Sequence, residues 1–121
     1  MILKSLGVIA YCDYLNDDQP YLIDTSEGRI VCIPYSNDIN DFNMFARGAS
    51  STREGIDMLK ACFDQLYKEG EKTGRIMNFG LHPHVIGQPH RIAALAEFLA
   101  YVRSKNHVWL PTREELATWY M

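Results

Sequence analysis

Three of the chain's four histidines fall in one stretch, Asn78 to Arg91, which reads Asn-Phe-Gly-Leu-His-Pro-His-Val-Ile-Gly-Gln-Pro-His-Arg. An imidazole titrates near neutral pH and is the usual side chain for moving a proton in catalysis. His82 directly follows the apolar run Ile76 to Leu81, so its ring would project at the carboxyl edge of a strand. In α/β proteins that edge is where ligands and reacting side chains gather. A histidine placed elsewhere would more often be structural. Arg91 falls in the first turn of the helix that follows, where a cation opposes the helix dipole. That placement suits a carboxylate or substrate partner, although a plain surface arginine fits it about as well.

The same histidines admit a metal reading. His82, His84 and His90, with a carboxylate from Asp38 or Asp41, supply donor types that zinc accepts. Their spacing matches no closed zinc signature, and Pro83 should turn the rings of His82 and His84 in different directions. Proton transfer by His82 is therefore the stronger reading, and no metal site is assigned. No phosphate-cradling glycine pattern, nucleophile elbow or Cys/His pairing is present.

The elements that would position this turn follow from periodicity. Gly7 to Tyr14 reads as a short strand, broken by the turn-forming cluster Leu15 to Pro20. Tyr21 to Asp24 and Arg29 to Pro34 read as strands joined at Thr25-Ser26-Glu27-Gly28, a hairpin. Tyr35 to Thr52 shows no periodicity and is rich in Asn, Asp and Ser. It suits either a loop whose Asx-turns hold side chains over a site or a solvated connection. Ser51 with Glu54 matches a capping box for a helix to about Glu69, carrying the apolar stripe Ile56, Leu59, Phe63 and Leu66, with Gly70 as its stop. Ile76 to Leu81 reads as a strand. A helix from Pro89 to about Asn106 puts Ile92, Leu95, Leu99 and Val102 on one face. Val108-Trp109-Leu110 reads as a short buried strand, and Thr112 with Glu115 caps a terminal helix through Leu116 and Trp119. The order from Thr52 onward is α-β-α-β-α, the mark of parallel βα units.

Composition bounds the function classes. A chain of 121 residues that is 47% hydrophobic and 22% charged suits one folded domain, residues 1–121. A net charge of −3 offers no footprint for nucleic acid or an anionic membrane, so neither is expected as a partner. Cys12, Cys32 and Cys62 are odd in number, lack CxxC spacing and lie in apolar stretches. They read as buried, inert thiols in a reducing compartment. No stretch reaches the length of a membrane span, and Lys4 interrupts the first apolar run without a cleavage site. The default location is the cytoplasm.

Several of these motifs together resemble the polysaccharide deacetylase family. Gly80-Leu81-His82, then Gly87-Gln88-Pro89-His90-Arg91-Ile92-Ala93-Ala94-Leu95, and the closing Val108-Trp109-Leu110 with Thr112-Arg113-Glu114-Glu115 look like the C-terminal part of its members. The branch they resemble includes cofactor-independent allantoinases and peptidoglycan deacetylase homologues. Asn16-Asp17-Asp18-Gln19-Pro20-Tyr21 and Ile33-Pro34-Tyr35-Ser36 with Asn40-Asp41 are similar to the same branch, so the resemblance covers nearly the whole chain. It implies an α/β fold: the last βα units of a distorted (β/α) barrel, with a hairpin near the N-terminus. It also implies hydrolysis of non-peptide C–N bonds, in N-acetylated sugars or cyclic amides.

Carried over by position, His82 matches the late Leu-His motif and inherits the role of catalytic acid. Asp18, Tyr35, Asn40 and Asp41 match positions near the substrate, and Arg91 joins them as a substrate-binding candidate. His84 and His90 inherit no role. The family's early Asp-Asp motif and its His-x-x-x-His metal motif have no counterpart here. The resemblance thus implies no cofactor held by this chain, a divalent metal entering only with an upstream half. Two readings follow: a segment of a C–N hydrolase that needs that half for activity, or a truncated, non-catalytic binding or assembly module. Either way the expected partners are a small-molecule or sugar substrate and a second polypeptide, the upstream half or further copies of this chain. Unpaired edges near Gly7–Tyr14 or Ile76–Leu81 would provide the oligomer contact.

Overall fold

The computed structural model describes residues 2–47 and 51–121. The chain divides into two compact units, one of residues 1–35 and 109–121 and the other of residues 36–108. The architecture is mixed α/β with one small sheet, and the described residues form no barrel.

In the first unit a single helical turn, α1 (Ile2–Ser5), precedes β1 (Ala10–Tyr11), β2 (Tyr21–Thr25) and β3 (Gly28–Cys32). The sheet order is β1-β3-β2, with β1 parallel and β2 antiparallel to β3. The expected hairpin is present, with Thr25 opposite Gly28 and a two-residue loop between them. Gly28 sits at φ 104°, where a Cβ would be strained, and the Thr25 hydroxyl donates to its carbonyl at 2.5 Å. The strand expected over Gly7–Tyr14 shrinks to two residues. Its start is taken by the turn after α1, with Gly7 at φ 82°. Val31 and Ile33 donate to the carbonyls of Ile9 and Tyr11, so the ladder reaches one residue beyond β3. Val31, Ile33 and Ala117 form this unit's small core.

The closing helix α5 (Arg113–Tyr120) starts with the expected Thr112/Glu115 capping box. Val108–Leu110 is not a strand, and Trp109 and Leu110 are more than half exposed. A strand needs a neighbour to pair with, and no described residue supplies one there. Trp109 instead meets Trp119 edge to face, with centroids 5.9 Å apart.

The second unit is built on α2 (Thr52–Gly70) and α4 (Pro89–Arg103). Ser51 caps α2 through the capping box with Glu54, as expected. The stop differs: Gly70 is the last helical residue and Glu71, in right-handed geometry, is the cap. Ile56, Leu59 and Phe63 are buried with Leu66 partly so, confirming the α2 stripe. On α4 the buried face is Ala94, Phe98 and Val102, while Ile92 and Leu99 are exposed. This helix is apolar on two sides, so spacing alone did not choose between them. Within the link Tyr35–Thr52, of which residues 48–50 lie outside the described residues, part of the chain is helical where a loop was expected. A π-helical turn, Phe42–Arg47, buries Met44 and Phe45 in the same core.

The run Ile76–Leu81 does not form a strand. It makes one parallel bridge, Asn40 to Gly80, closed by Asp41 N–H to Gly80 O at 3.0 Å and Gly80 N–H to Ile39 O at 3.0 Å. Met77 and Phe79 pack on the α2/α4 core. A short helix, α3 (Pro83–Ile86), follows His82 and buries Val85 and Ile86. Of the thiols, Cys32 is buried as expected, while Cys12 and Cys62 are only half-buried. Burial pushes the Cys62 thiol up from its ordinary value, which keeps it protonated and unreactive.

Candidate active site

The Asn40–Gly80 bridge determines what His82 meets. It aligns the two chain segments so that Asp41 stands beside the residue two places after Gly80. Asp41 is fully buried, and a carboxylate without water must be hydrogen-bonded. Both of its oxygens go to His82: Oδ2 accepts the backbone N–H at 2.8 Å and Oδ1 lies 2.6 Å from Nδ1. An ionised carboxylate can only accept, so Nδ1 carries the proton in this pair. The tautomer and the ring plane are thereby fixed, and Nε2 is left for chemistry. The His82 side chain is 38% exposed, so that nitrogen can be reached.

The remaining expected residues fall into place around this dyad or away from it. Asn40 is buried, and its Oδ1 accepts the Phe42 N–H at 2.9 Å, an Asx-turn that starts the π-helical turn. The Arg91 guanidinium donates to two backbone carbonyls, Val85 at 3.2 Å and Phe45 at 3.1 Å. It ties α4 to the π-helical turn and α3, where the sequence had suggested a carboxylate or substrate partner. Asp18 and Tyr35 belong to the first unit. Asp18 is exposed in the turn before β2 and donates its N–H to Asp17 Oδ1, whereas the Tyr35 N–H donates to Tyr14 O at 2.8 Å.

Sequence reasoning missed two residues here, Phe42 and Arg47, and the role of a third. Asp41 supports the imidazole, a partnership across 41 positions that no spacing rule reveals. Phe42 brings its ring within 5.7 Å of the His82 ring and 6.3 Å of the His84 ring. Arg47 lays its guanidinium 5.2 Å from the Phe42 centroid. The His82 and His84 rings also neighbour each other at 5.7 Å, so Pro83 does not splay them apart.

The donor set does not suit a metal. Asp41 has both oxygens committed to His82, and among the described residues no three His, Cys, Asp or Glu side chains converge.

An imidazole held by a buried carboxylate, at a turn of an α/β scaffold, is an arrangement chemically able to move a proton. Its relatives by sequence and by structure alike point to the polysaccharide deacetylase and allantoinase-like family, which the chain matches over a C-terminal part. No family model matches the chain. A Schizosaccharomyces pombe protein assigned to the polysaccharide deacetylases is 31% identical over 117 residues, covering 87% of this chain and 36% of its own length. A solved structure of a Pseudomonas aeruginosa PAO1 protein, assigned likewise, superposes with a TM-score of 0.86 at 35% identity, covering 97% of this chain and 40% of that one. The Puue allantoinase gives 0.86 at 33% identity, over 97% and 40%. A Mycobacterium smegmatis protein shares the fold, with a TM-score of 0.80 at 24% identity over 97% and 42%. The chain thus spans well under half the length of each of these relatives. The family expected from the motifs is the one these comparisons return.

Proposed function

We propose that the chain is a deacetylase-like hydrolase segment in which His82 is the general acid for breaking a non-peptide C–N bond. The hydrogen bond between His82 Nδ1 and Asp41 carries this reading. In such a hydrolysis water adds to the carbonyl carbon, and the nitrogen must be protonated as the C–N bond breaks. The imidazolium form of His82 gives its Nε2 proton to that nitrogen. Asp41, hydrogen-bonded to Nδ1, holds the ring in line for that transfer. Substrates on this reading are N-acetylated sugars or cyclic amides, the bonds expected from the motifs. Asp18, Tyr35 and Asn40 remain the substrate-side candidates.

The reading includes a partner. Activating the water and positioning the carbonyl need groups beyond the dyad, so turnover requires a polypeptide equivalent to the rest of the relatives' length, completing a (β/α) barrel. A divalent metal would belong to that part. The cytoplasmic location and an oligomeric state belong to the same proposal. Among the described residues no helix is long and apolar enough to cross a membrane. One observation favours the second reading, a non-catalytic assembly module. The first unit exposes Trp109, Leu110, Trp119 and Met121, large apolar side chains that suit a protein contact.

The test is to supply the chain with the part of the Pseudomonas relative that it lacks, and to assay release of acetate or ring opening. Turnover should appear only in the mixture. General acid catalysis typically contributes about 10²–10⁴-fold, so His82→Ala should lower kcat by that order with little change in KM. A folded His82→Ala chain with undiminished turnover would refute the assignment. Absence of turnover in every mixture, with tight association of the two parts, would favour the assembly module.

A further inference from the structure

The residues around the exposed edge of His82 carry a second piece of information, the charge of what binds there. The Asx-turn at Asn40 fixes the start of the π-helical turn, and with it the Phe42 ring beside the dyad. In a π-helix the backbone hydrogen bond runs between residues i and i+5, which lie about one turn apart on neighbouring sides, whereas in an α-helix they point to different sides. Arg47 is residue i+5 from Phe42. The wider helix is what sets its guanidinium over the Phe42 ring, at 5.2 Å from the centroid. Phe42 thus gathers one permanent cation and two imidazoles, those of His82 and His84. A guanidinium that lies over an aromatic face can still offer N–H groups to a carboxylate.

Among the described residues Arg47 forms no ion pair, its contact being the Phe42 ring. Asp41 is the adjacent carboxylate, and it is fully buried with both oxygens turned to His82. Asp38 is exposed and makes no ion pair among the described residues. Arg91, the other guanidinium of this region, is committed to carbonyls. We propose that Arg47 and His84, arranged on Phe42, form an anion-selective rim beside His82, and that the substrate therefore carries a carboxylate or equivalent anionic group near its reacting amide. This rests on the reading of His82 as the proton donor and narrows it to acidic amides.

Pairs of ligands that differ by one carboxylate test the proposal without requiring turnover. N-acetylglucosamine against N-acetylmuramic acid, and hydantoin against its acetic-acid derivative, would be titrated into the chain while the imidazole resonances of His82 and His84 are followed by NMR. One partly exposed charge-assisted pair should make the acids bind roughly three- to tenfold tighter than their neutral counterparts. The preference should shrink as salt is added. Arg47→Gln should abolish it and Arg47→Lys should keep part of it. Because Arg47 is exposed, both variants should fold. Equal affinities within each pair, a preference that survives Arg47→Gln, or imidazole resonances indifferent to the acids would each overturn the proposal. The outcome is separable from the turnover assay. A preference lost with the His82→Ala effect intact sinks the rim alone, and the reverse sinks the general acid alone.

Discussion

Two apolar runs in this chain look alike in sequence and end up differently. Arg29–Pro34 pairs on both sides, with β2 through four register positions, Arg29 to Cys32, and with the β1 segment through Ala10 and Tyr11. Among the described residues Ile76–Leu81 makes one ladder bridge, at Gly80. The first is a scaffold, and its residues face a core of Val31, Ile33 and Ala117. The second ends in His82, and a side chain, the Asp41 carboxylate, holds the N–H that follows it. The difference shows that a strand is a property of its neighbours as much as of its own residues. Where the ladder stops, a buried carboxylate can take over its hydrogen-bonding and also orient a reacting imidazole.

The contrast is broken most severely from the paired side. Ile33 is 3% exposed and packs with Val31 and Ala117, so Ile33→Ala removes core volume from a place that cannot collapse freely. Buried Ile→Ala changes cost about 2–5 kcal/mol, and urea unfolding should show a loss in that range. Met77→Ala, on the half-buried side of the singly bridged run, should cost clearly less. Equal losses would mean that the two runs are equally integrated, and the distinction would fall.

A smaller effect sharpens the comparison at the site. Asp41→Asn keeps the size of the side chain and removes the charge that accepts from both His82 N and Nδ1. Weakening such a buried pair costs about 1–3 kcal/mol. The specific readout is local: amide exchange at His82 should accelerate well beyond that of Val31, whose N–H is held by the sheet. Uniform acceleration throughout the chain would mark Asp41 as an ordinary stabilising residue.

These elements also show what the sequence made legible. Both capping boxes and the hairpin are written within four or five adjacent residues, and all three form where expected. The strands expected at Ile76–Leu81 and Val108–Leu110 depend on partners that no local pattern encodes, and neither forms. The buried face of α4 was hidden because Ile92 and Leu99 continue the apolar pattern on the exposed side. His82 could be singled out from its position after an apolar run. Its support by Asp41 could not, because the contact depends on a bridge between distant segments, and Asp41 itself read as a substrate-side residue or a candidate metal carboxylate. The π-helical turn leaves no periodic trace, so the meeting of Arg47 with Phe42 was equally invisible.

The smallest expected effect lies under the singly bridged run, on the surface of the helices that support it. Glu97 on α4 accepts from Lys60 at 2.6 Å and from Arg53 at 3.0 Å, both on α2. These donors hold its carboxyl well below the usual range, from 4.5 down to about 2, with the Lys60 hydrogen bond the largest cause and Arg53 next. A depressed carboxyl favours the folded state above its unfolded value, and that contribution is lost as acid protonates the folded form. The contribution should therefore be complete above about 4.5 and fade as the pH falls toward 2. Both partners and Glu97 itself remain in contact with water, so the gain is small and salt-sensitive. Glu97→Gln should lower stability slightly at neutral pH and flatten the acid side of the profile in this window. Because Met77 and Phe79 rest on the α2/α4 core, exchange at Gly80 should follow the same small change. If Glu97→Gln leaves the acid profile unaltered, the surface network does not help hold the two helices together. The singly bridged run would then owe nothing to that network.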